Sequence, residues 1–133
     1  MLIETDVLIA ALDADDPHNA EARKIITELK VALSPYTLIE LDLLIRSGKV
    51  AVANYRMFWE KMGETLNLYR IKVLPPRPKY HSKAEELRRQ YGLTYFDSLH
   101  AAVAITSNMQ LVSYDHKAYS KIKGLRYLHP LNV

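Results

Sequence analysis

The sequence has no cysteine among its 133 residues, only four glycines and no long hydrophobic run. Without cysteine, a disulfide scaffold, a thiolate zinc site, an iron–sulfur cluster and a cysteine nucleophile are all excluded. The glycines are not grouped, which argues against a phosphate-binding loop, and the Gly-x-Ser-x-Gly motif of serine hydrolases is absent. No apolar run approaches the roughly 20 residues that span a bilayer, and the N-terminus lacks the basic residues of a secretory signal. We therefore expect a soluble, cytoplasmic protein that does not associate with membranes.

The overall composition is typical of one globular domain. Hydrophobic residues make up 49% and charged residues 25%, and a chain of 133 residues can bury its own core. We expect a single domain over residues 1–133. The net charge of +3 is unevenly distributed, with −6 in residues 1–42, +7 in residues 43–96 and +2 in residues 97–133. This distribution suits a protein that attracts a polyanion to an acidic site, although solvated helix surfaces are the simpler explanation of the charge alone.

Strand-like and helix-like segments alternate along the chain. Short apolar runs predict five strands, at residues 1–9, 31–33, 71–74, 111–113 and 125–128. Helices are predicted from Asp16 and Pro17, from Ser34 and Pro35, and over residues 50–68, 79–91 (closed by Gly92) and 96–107. Because the strands are continuously apolar, we predict an α/β fold with a parallel sheet that is covered by helices on both faces.

Carboxylates in apolar surroundings indicate where a ligand would bind. In parallel sheets, ligands bind beyond the carboxyl ends of the strands, and four chain segments carry acids at such positions. Glu4 and Asp6 lie two residues apart on the first predicted strand, so they would project from the same side. The other acids are Glu40 on a helix, Asp97 at the start of the alanine-rich helix and Asp115 after the fourth strand.

Each of these acids also has a structural interpretation. Asp97 could form a capping box with Thr94, Asp115 could cap a helix that begins at His116, and Glu40 could face solvent. Together, however, carboxylates from four segments at one sheet edge would repel one another unless cations lay between them. Oxygen ligands without histidine or cysteine suit Mg²⁺ or Mn²⁺, and such an ion activates water for phosphodiester hydrolysis.

Four segments of the chain form a characteristic series. They are Glu4 to Ile9, Leu33 and Ser34 with the helix that carries Glu40, Tyr95 to Ala102, and Leu111 to Asp115. In order and spacing these segments resemble the motifs of the PIN domain family, and more closely its small VapC-type toxins, over essentially the whole chain. The chain departs from the family at its first motif. The family usually has aspartate at the position of Glu4, and asparagine or serine at that of Asp6.

The resemblance implies a three-layer α/β/α domain whose parallel five-stranded sheet has the order 3-2-1-4-5. It also implies a Mg²⁺- or Mn²⁺-dependent endoribonuclease that cleaves RNA and forms a homodimer inhibited by a small antitoxin protein. The catalytic residues would be Asp6, Glu40, Asp97 and Asp115, with Glu4 as a further metal ligand. Whether Glu4 or Asp6 binds the ion directly is left open. The altered first motif also allows an alternative function, a catalytically weak PIN-like module that binds RNA or a protein partner.

Other residues are candidates for supporting roles. Thr5 and Ser98 could hydrogen-bond the carboxylates, or could bond their own helix backbone instead. His100, one turn after Asp97, could hold substrate or move a proton, or could be a satisfied core histidine. The candidates for contact with RNA phosphates, chosen by the local density of positive charge, are Lys72, Arg77, Lys79, Lys83, Arg88 and Arg89.

Overall fold

The computed structural model describes residues 1–133, and its five parallel strands have the order β3-β2-β1-β4-β5, as predicted. The strands are β1 (Leu2–Ile3), β2 (Ala32–Leu33), β3 (Lys72–Val73), β4 (Leu111–Val112) and β5 (Tyr127–Leu128). The helices are α1 (Thr5–Leu12), α2 (Asn19–Glu28), α3 (Thr37–Arg46), α4 (Tyr55–Leu68), α5 (Pro78–Tyr91), α6 (Tyr95–Thr106) and α7 (His116–Tyr119). A 3₁₀ turn over Pro130–Asn132 ends the chain.

Each face of the sheet has its own hydrophobic core. Leu2 and Leu111 belong to one core with residues of α5, α6 and α7, whereas Ile3 and Val112 belong to a second core with residues of α1, α2, α3 and α4. Successive strand residues point to opposite faces, so even a strand of two residues contributes to both cores. This double burial explains the continuous apolar runs of the sequence. None of the helices combines the length and hydrophobicity that a membrane span requires.

The prediction of one strand over residues 1–9 is wrong. The chain leaves β1 after two residues, and α1 begins at Thr5. Glu4 caps this helix, because its side chain accepts a hydrogen bond from the Thr5 amide at 2.9 Å. A short apolar run cannot distinguish a buried strand from a buried helix, and here both occur in succession. Asp6 therefore lies in the first turn of α1, rather than on a strand beside Glu4.

Two further helices begin later than predicted. Ser34 accepts a hydrogen bond from the Tyr36 amide at 3.1 Å within a turn, and α3 starts at Thr37 instead of next to Ser34. The fourth helix starts after Asn54, not at residue 50, because Asn54 is extended and its side chain caps α4. The other predicted helices agree with α2, α5 and α6 to within three residues at each end.

Gly92 ends α5 as predicted, with a left-handed backbone at φ 68°. An added Cβ would meet no atom within 4 Å, so Gly92→Ala introduces backbone strain without a clash. We expect this substitution to lower the free energy of unfolding by about 1–2 kcal/mol, measured by urea denaturation. Gly63→Ala inside α4 is the matched control, since it also meets no atom within 4 Å and should raise stability by about 0.5–1 kcal/mol. Effects of the same sign at both positions would contradict this explanation.

Candidate metal centre

The candidate site lies where β1 and its two neighbours, β2 and β4, end. Glu4 directly follows β1, Ser34 follows β2 and Ser113 follows β4, and all three residues are buried. Because these strands are adjacent and parallel, the residues after them lie side by side at one edge of the sheet. β2 and β3 lie on one side of β1, and β4 and β5 lie on its other side. This change of direction makes the edge at which β1 ends the topological switch point.

Glu4, Glu40 and His100 form the centre of the site, with one potential ligand atom from each within 4.8 Å of the others. His100 Nε2 lies 2.8 Å from Glu40 Oε1 and 3.7 Å from Glu4 Oε1, while its Nδ1 lies 2.8 Å from Ser34 Oγ. The Thr5 hydroxyl donates to Glu40 Oε1 at 2.5 Å. Burial raises the pKa of Glu40, but the hydrogen bonds from His100 and Thr5 outweigh burial and hold that pKa below its ordinary value.

Ser113 joins Glu4 to Asp6 and reveals a shortage of hydrogen-bond donors. Its hydroxyl lies 3.2 Å from Glu4 Oε2 and 3.0 Å from Asp6 Oδ2, and the Tyr114 amide donates to the same Asp6 oxygen at 3.0 Å. One hydroxyl carries one proton, so Ser113 can satisfy only one carboxylate at a time. The other Asp6 oxygen, Oδ1, is buried without any hydrogen-bond partner. A buried polar atom in this state is costly, which favours a cation nearby.

The electrostatics of the acids show the same deficit of positive charge. Burial, followed by the charges of Asp6, Glu40 and Asp97, raises the pKa of Glu4 well above 4.5. Burial also raises the pKa of Asp6, and burial together with the charge of Asp115 raises that of Asp97. The negative charges are therefore close enough to oppose one another's ionisation.

Asp97 and Asp115 flank the centre. Asp97 accepts a hydrogen bond from the buried Tyr119 hydroxyl at 3.3 Å, and its own amide donates to the Thr94 hydroxyl at 3.4 Å. Asp115 is exposed and caps α7, accepting the Ala118 amide at 3.0 Å. Asp115 therefore caps a helix, as considered from the sequence. For Asp97 only half of the capping box is present, because the Thr94 hydroxyl caps α6 but the Asp97 carboxylate accepts no backbone amide and instead lies near the charges of Asp115 and Glu40.

No lysine or arginine forms an ion pair with any of the five acids. The ion pairs that involve lysine or arginine all lie within α3, α4 or α5, so His100 is the one basic side chain in contact with the cluster. The ligand atoms of Glu4 and Glu40 lie within 4.8 Å of each other. Two ionised carboxylates at this distance repel by about 3.5 kcal/mol at an effective dielectric constant of about 20. A largely oxygen donor set with an unpartnered buried oxygen fits a hard divalent ion such as Mg²⁺ or Mn²⁺.

Ser98, a predicted supporting residue, does not contact the carboxylates. Its hydroxyl donates to the Tyr95 carbonyl at 2.6 Å and accepts from Arg88 Nη1 at 2.7 Å. Ser98 therefore bonds its own helix backbone, which was the alternative interpretation, and connects α6 to α5.

Three residues that hold the cluster were not selected from the sequence. Ser34 and Ser113 could have been found, because each directly follows a predicted strand and the same rule had selected Asp115. Tyr119 carried no such signal, since its hydroxyl reaches Asp97 only through the packing of α7.

The predicted basic residues divide into two sets by their contacts. The side chains that pair with Glu85 or Glu86 on α5 are Lys83, Arg88 and Arg89. The side chains without an ion pair are Lys72, Arg77 and Lys79. Arg77 and Lys79 lie at the start of α5, after the carboxyl end of β3, and so at the same sheet edge as the acids.

These features define an α/β protein whose doubly covered parallel sheet carries a carboxylate centre at its switch point. A family model described as PIN domain matches residues 1–125. The chain belongs to the PIN domain family, as the resemblance of its motifs predicted. Members of this family are generally nucleases, and these nucleases use divalent metals.

Solved structures with the same fold include three with nearly complete coverage. VapBC2 from Rickettsia felis, bound to a promoter DNA fragment, matches at 19% identity over 96% of each chain with a TM-score of 0.74. DNA-bound VapBC from Salmonella typhimurium matches at 19% identity over 97% of this chain and 96% of that chain, with a TM-score of 0.71. VapBC-1 from nontypeable Haemophilus influenzae matches at 19% identity, with coverages of 98% and 97% and a TM-score of 0.70. Among curated proteins, no match was found.

Glu4→Gln tests the charge deficit through stability. Because the folded pKa of Glu4 lies above 4.5, the metal-free folded state binds more protons than the unfolded state, and the free energy of unfolding falls as pH rises through that folded pKa. Glutamine has no carboxylate to ionise. The variant should therefore gain stability relative to the native chain as pH rises from 4 to 8, by about 1.4 kcal/mol per unit of pKa shift. Thermal unfolding in chelator at both pH values measures the difference.

Glu64→Gln, at an exposed position of α4, is the control and should show no such dependence on pH. Added Mg²⁺ or Mn²⁺ should raise the melting temperature of the native chain more than that of Glu4→Gln. Equal destabilisation of Glu4→Gln at pH 4 and pH 8 would show that Glu4 acts only as a helix cap.

Proposed function

We propose that this protein is a Mg²⁺- or Mn²⁺-dependent endoribonuclease that acts as the toxin of a toxin–antitoxin pair. The proposal depends chiefly on one observation: carboxylates from four chain segments share one sheet edge without a lysine or arginine partner. Membership of the PIN domain family supports the nuclease activity. The similar structures are toxin–antitoxin complexes, which supports the biological role.

We assign direct contact with the ion to Glu4, Glu40 and Asp97, with Asp115 at the exposed rim of the site. Asp6 is a fourth acid close to the ion, and its unpartnered Oδ1 could also face it. We favour Glu4 as the first ligand because Glu4, and not Asp6, has a ligand atom within 4.8 Å of those of Glu40 and His100. When bound, the ion would supply a water nucleophile at neutral pH and stabilise negative charge on the phosphate.

The remaining side chains of the site fix the orientation of the acids. His100 and Thr5 hold Glu40 from one side, and the Tyr119 hydroxyl holds Asp97. Such contacts restrict rotation of the carboxylates before substrate binds. In metal sites, loss of a comparable contact to a ligand lowers metal affinity or activity by roughly 10- to 100-fold. Thr5 and His100 thus act through Glu40, and Ser98 through the packing of α6.

RNA would approach the site from the basic side of the sheet edge. Arg77 and Lys79 are free of ion pairs and follow β3, whereas Glu4 and Asp6 follow β1 and Asp115 follows β4. We propose that Arg77 and Lys79 contact phosphates next to the cleaved bond. Lys72, Lys83, Arg88 and Arg89 add to the positive field, although the last three are partly neutralised by α5 glutamates.

Asp97→Asn tests the assignment, because it removes one charge with little change in volume. We expect RNA cleavage to fall by at least about 100-fold, since the effect of losing a ligand should equal or exceed that of losing an outer-shell contact. The circular dichroism spectrum should be unchanged. Cleavage of a single-stranded RNA, with and without chelator, measures the effect.

Asp42→Asn is the control, because Asp42 lies on α3 but pairs with Arg46 at the surface. It should retain native cleavage. Cleavage by Asp97→Asn at the native rate would remove Asp97 from the site. If the native chain bound RNA without metal and did not cleave it, the alternative function, a PIN-like binding module, would be favoured. The glutamate at position 4, where the family usually has aspartate, is the reason to test this alternative.

The proposed partners are an antitoxin protein and a second copy of the chain. An apolar groove of about 690 Å³ between α1 and α4 offers a surface for an antitoxin segment, with Ile9, Leu12, Val50, Met57 and Phe58 in its lining. A protein that binds the chain stoichiometrically and stops RNA cleavage would support this partner.

Light scattering of the purified chain tests the homodimer, and a monomeric mass at assay concentrations would contradict it.

A further inference from the structure

We propose that Tyr95 and Arg88 form a stacking subsite for one unpaired base of the RNA, beside the site of cleavage. This inference depends on the proposed ribonuclease function and specifies how the substrate is held. Aromatic rings and guanidinium planes are the protein groups on which unpaired bases stack.

Tyr95 is an exposed aromatic ring on a fixed support. It is the first residue of α6 and 55% exposed, and none of the hydrogen bonds of the structure involves its hydroxyl. The Arg88 guanidinium lies 5.4 Å from the centre of the ring. Arg88 is itself held by the Ser98 hydroxyl at 2.7 Å and by Glu85 at 3.3 Å. The tyrosine and arginine planes are therefore positioned before any base arrives, which reduces the entropy lost on binding.

A continuous row of rings connects this pair to the candidate metal centre. The centres of the Tyr95 and Phe96 rings are 5.4 Å apart, and the centres of the Phe96 and His100 rings are 6.4 Å apart. His100 contacts Glu40, so the row of rings ends at the metal centre. A base on Tyr95 would therefore belong to a nucleotide near the phosphate at the acidic cluster.

The chain contains a second tyrosine–arginine pair that lacks these properties. Arg46 lies 5.5 Å from the centre of the Tyr55 ring on the surface of α3 and α4. The Tyr55 hydroxyl is bonded to Asp42, and Arg46 also pairs with Asp42. The Asp42 carboxylate bonds these two surface side chains and makes no hydrogen bond with the residues of the metal centre. The second pair thus provides a matched control.

The subsite has a consequence for the class of RNA that is cleaved. Stacking requires a base whose face is open, and every base has such a face. We expect the protein to select unpaired segments over duplex RNA, with little dependence on base identity at this position.

Tyr95→Leu, Tyr95→Phe and Tyr55→Leu test the proposal with a single-stranded RNA that contains 2-aminopurine. Binding is measured in chelator, so that the RNA is not cleaved, and stacking quenches the fluorescence of the probe. Tyr95→Leu should weaken binding by about 5- to 100-fold and remove the quenching, whereas Tyr95→Phe and Tyr55→Leu should retain both. In cleavage assays with metal, Tyr95→Leu should raise KM and leave kcat unchanged.

Native affinity and quenching in Tyr95→Leu would overturn the subsite, as would equal losses in Tyr95→Leu and Tyr55→Leu. A fall in kcat without a rise in KM would also overturn it, because Tyr95 would then act on the acids and not on the base. Failure of the native chain to cleave RNA would instead contradict the proposed function, and the fluorescence assay in chelator would still decide whether Tyr95 stacks on a base.

Discussion

The site depends on the mutual repulsion of carboxylates that lie close together at a partly buried edge of the sheet. Glu4 and Glu40 approach within 4.8 Å, and Asp6 and Asp97 add charge nearby. The protein supplies hydroxyls, amides and one imidazole to these oxygens, but neither lysine nor arginine. The acids are thus held in place without being neutralised, a state that favours binding of a divalent cation.

The fold supports this arrangement through very short strands at its centre. β1 contributes Leu2 and Ile3 to separate cores and then delivers Glu4 to the sheet edge. With cores on both faces, the hydrophobic stabilisation of the whole domain can offset a local electrostatic cost of a few kcal/mol. Donors on different elements, such as His100 on α6, Ser113 after β4 and Tyr119 on α7, then limit rotation of the acidic side chains.

The continuous apolar runs predicted a parallel sheet because they report burial on both faces. The order and spacing of the motifs predicted the family, and the order of the strands followed from that resemblance. Of the two contacts left open for Thr5, the structure shows the bond to a carboxylate, that of Glu40 on a distant segment of the chain. The position of Asp6 could not be predicted, because the apolar pattern after β1 fits a strand and a helix equally. For Ser98 the sequence left two contacts open, and the structure shows the bond to its own helix, because a serine in a helix has a backbone acceptor within reach. Contacts such as Tyr119 with Asp97 arise from tertiary packing, which local sequence does not encode.

A crystal soaked in Mn²⁺ tests the central claim most directly, because anomalous scattering locates the ion without reference to activity. The account predicts one strong anomalous peak at the sheet edge, in contact with carboxylate oxygens of Glu4, Glu40 and Asp97. No peak at these residues under conditions that support RNA cleavage would contradict it, as would a lysine or arginine side chain in the place of the ion.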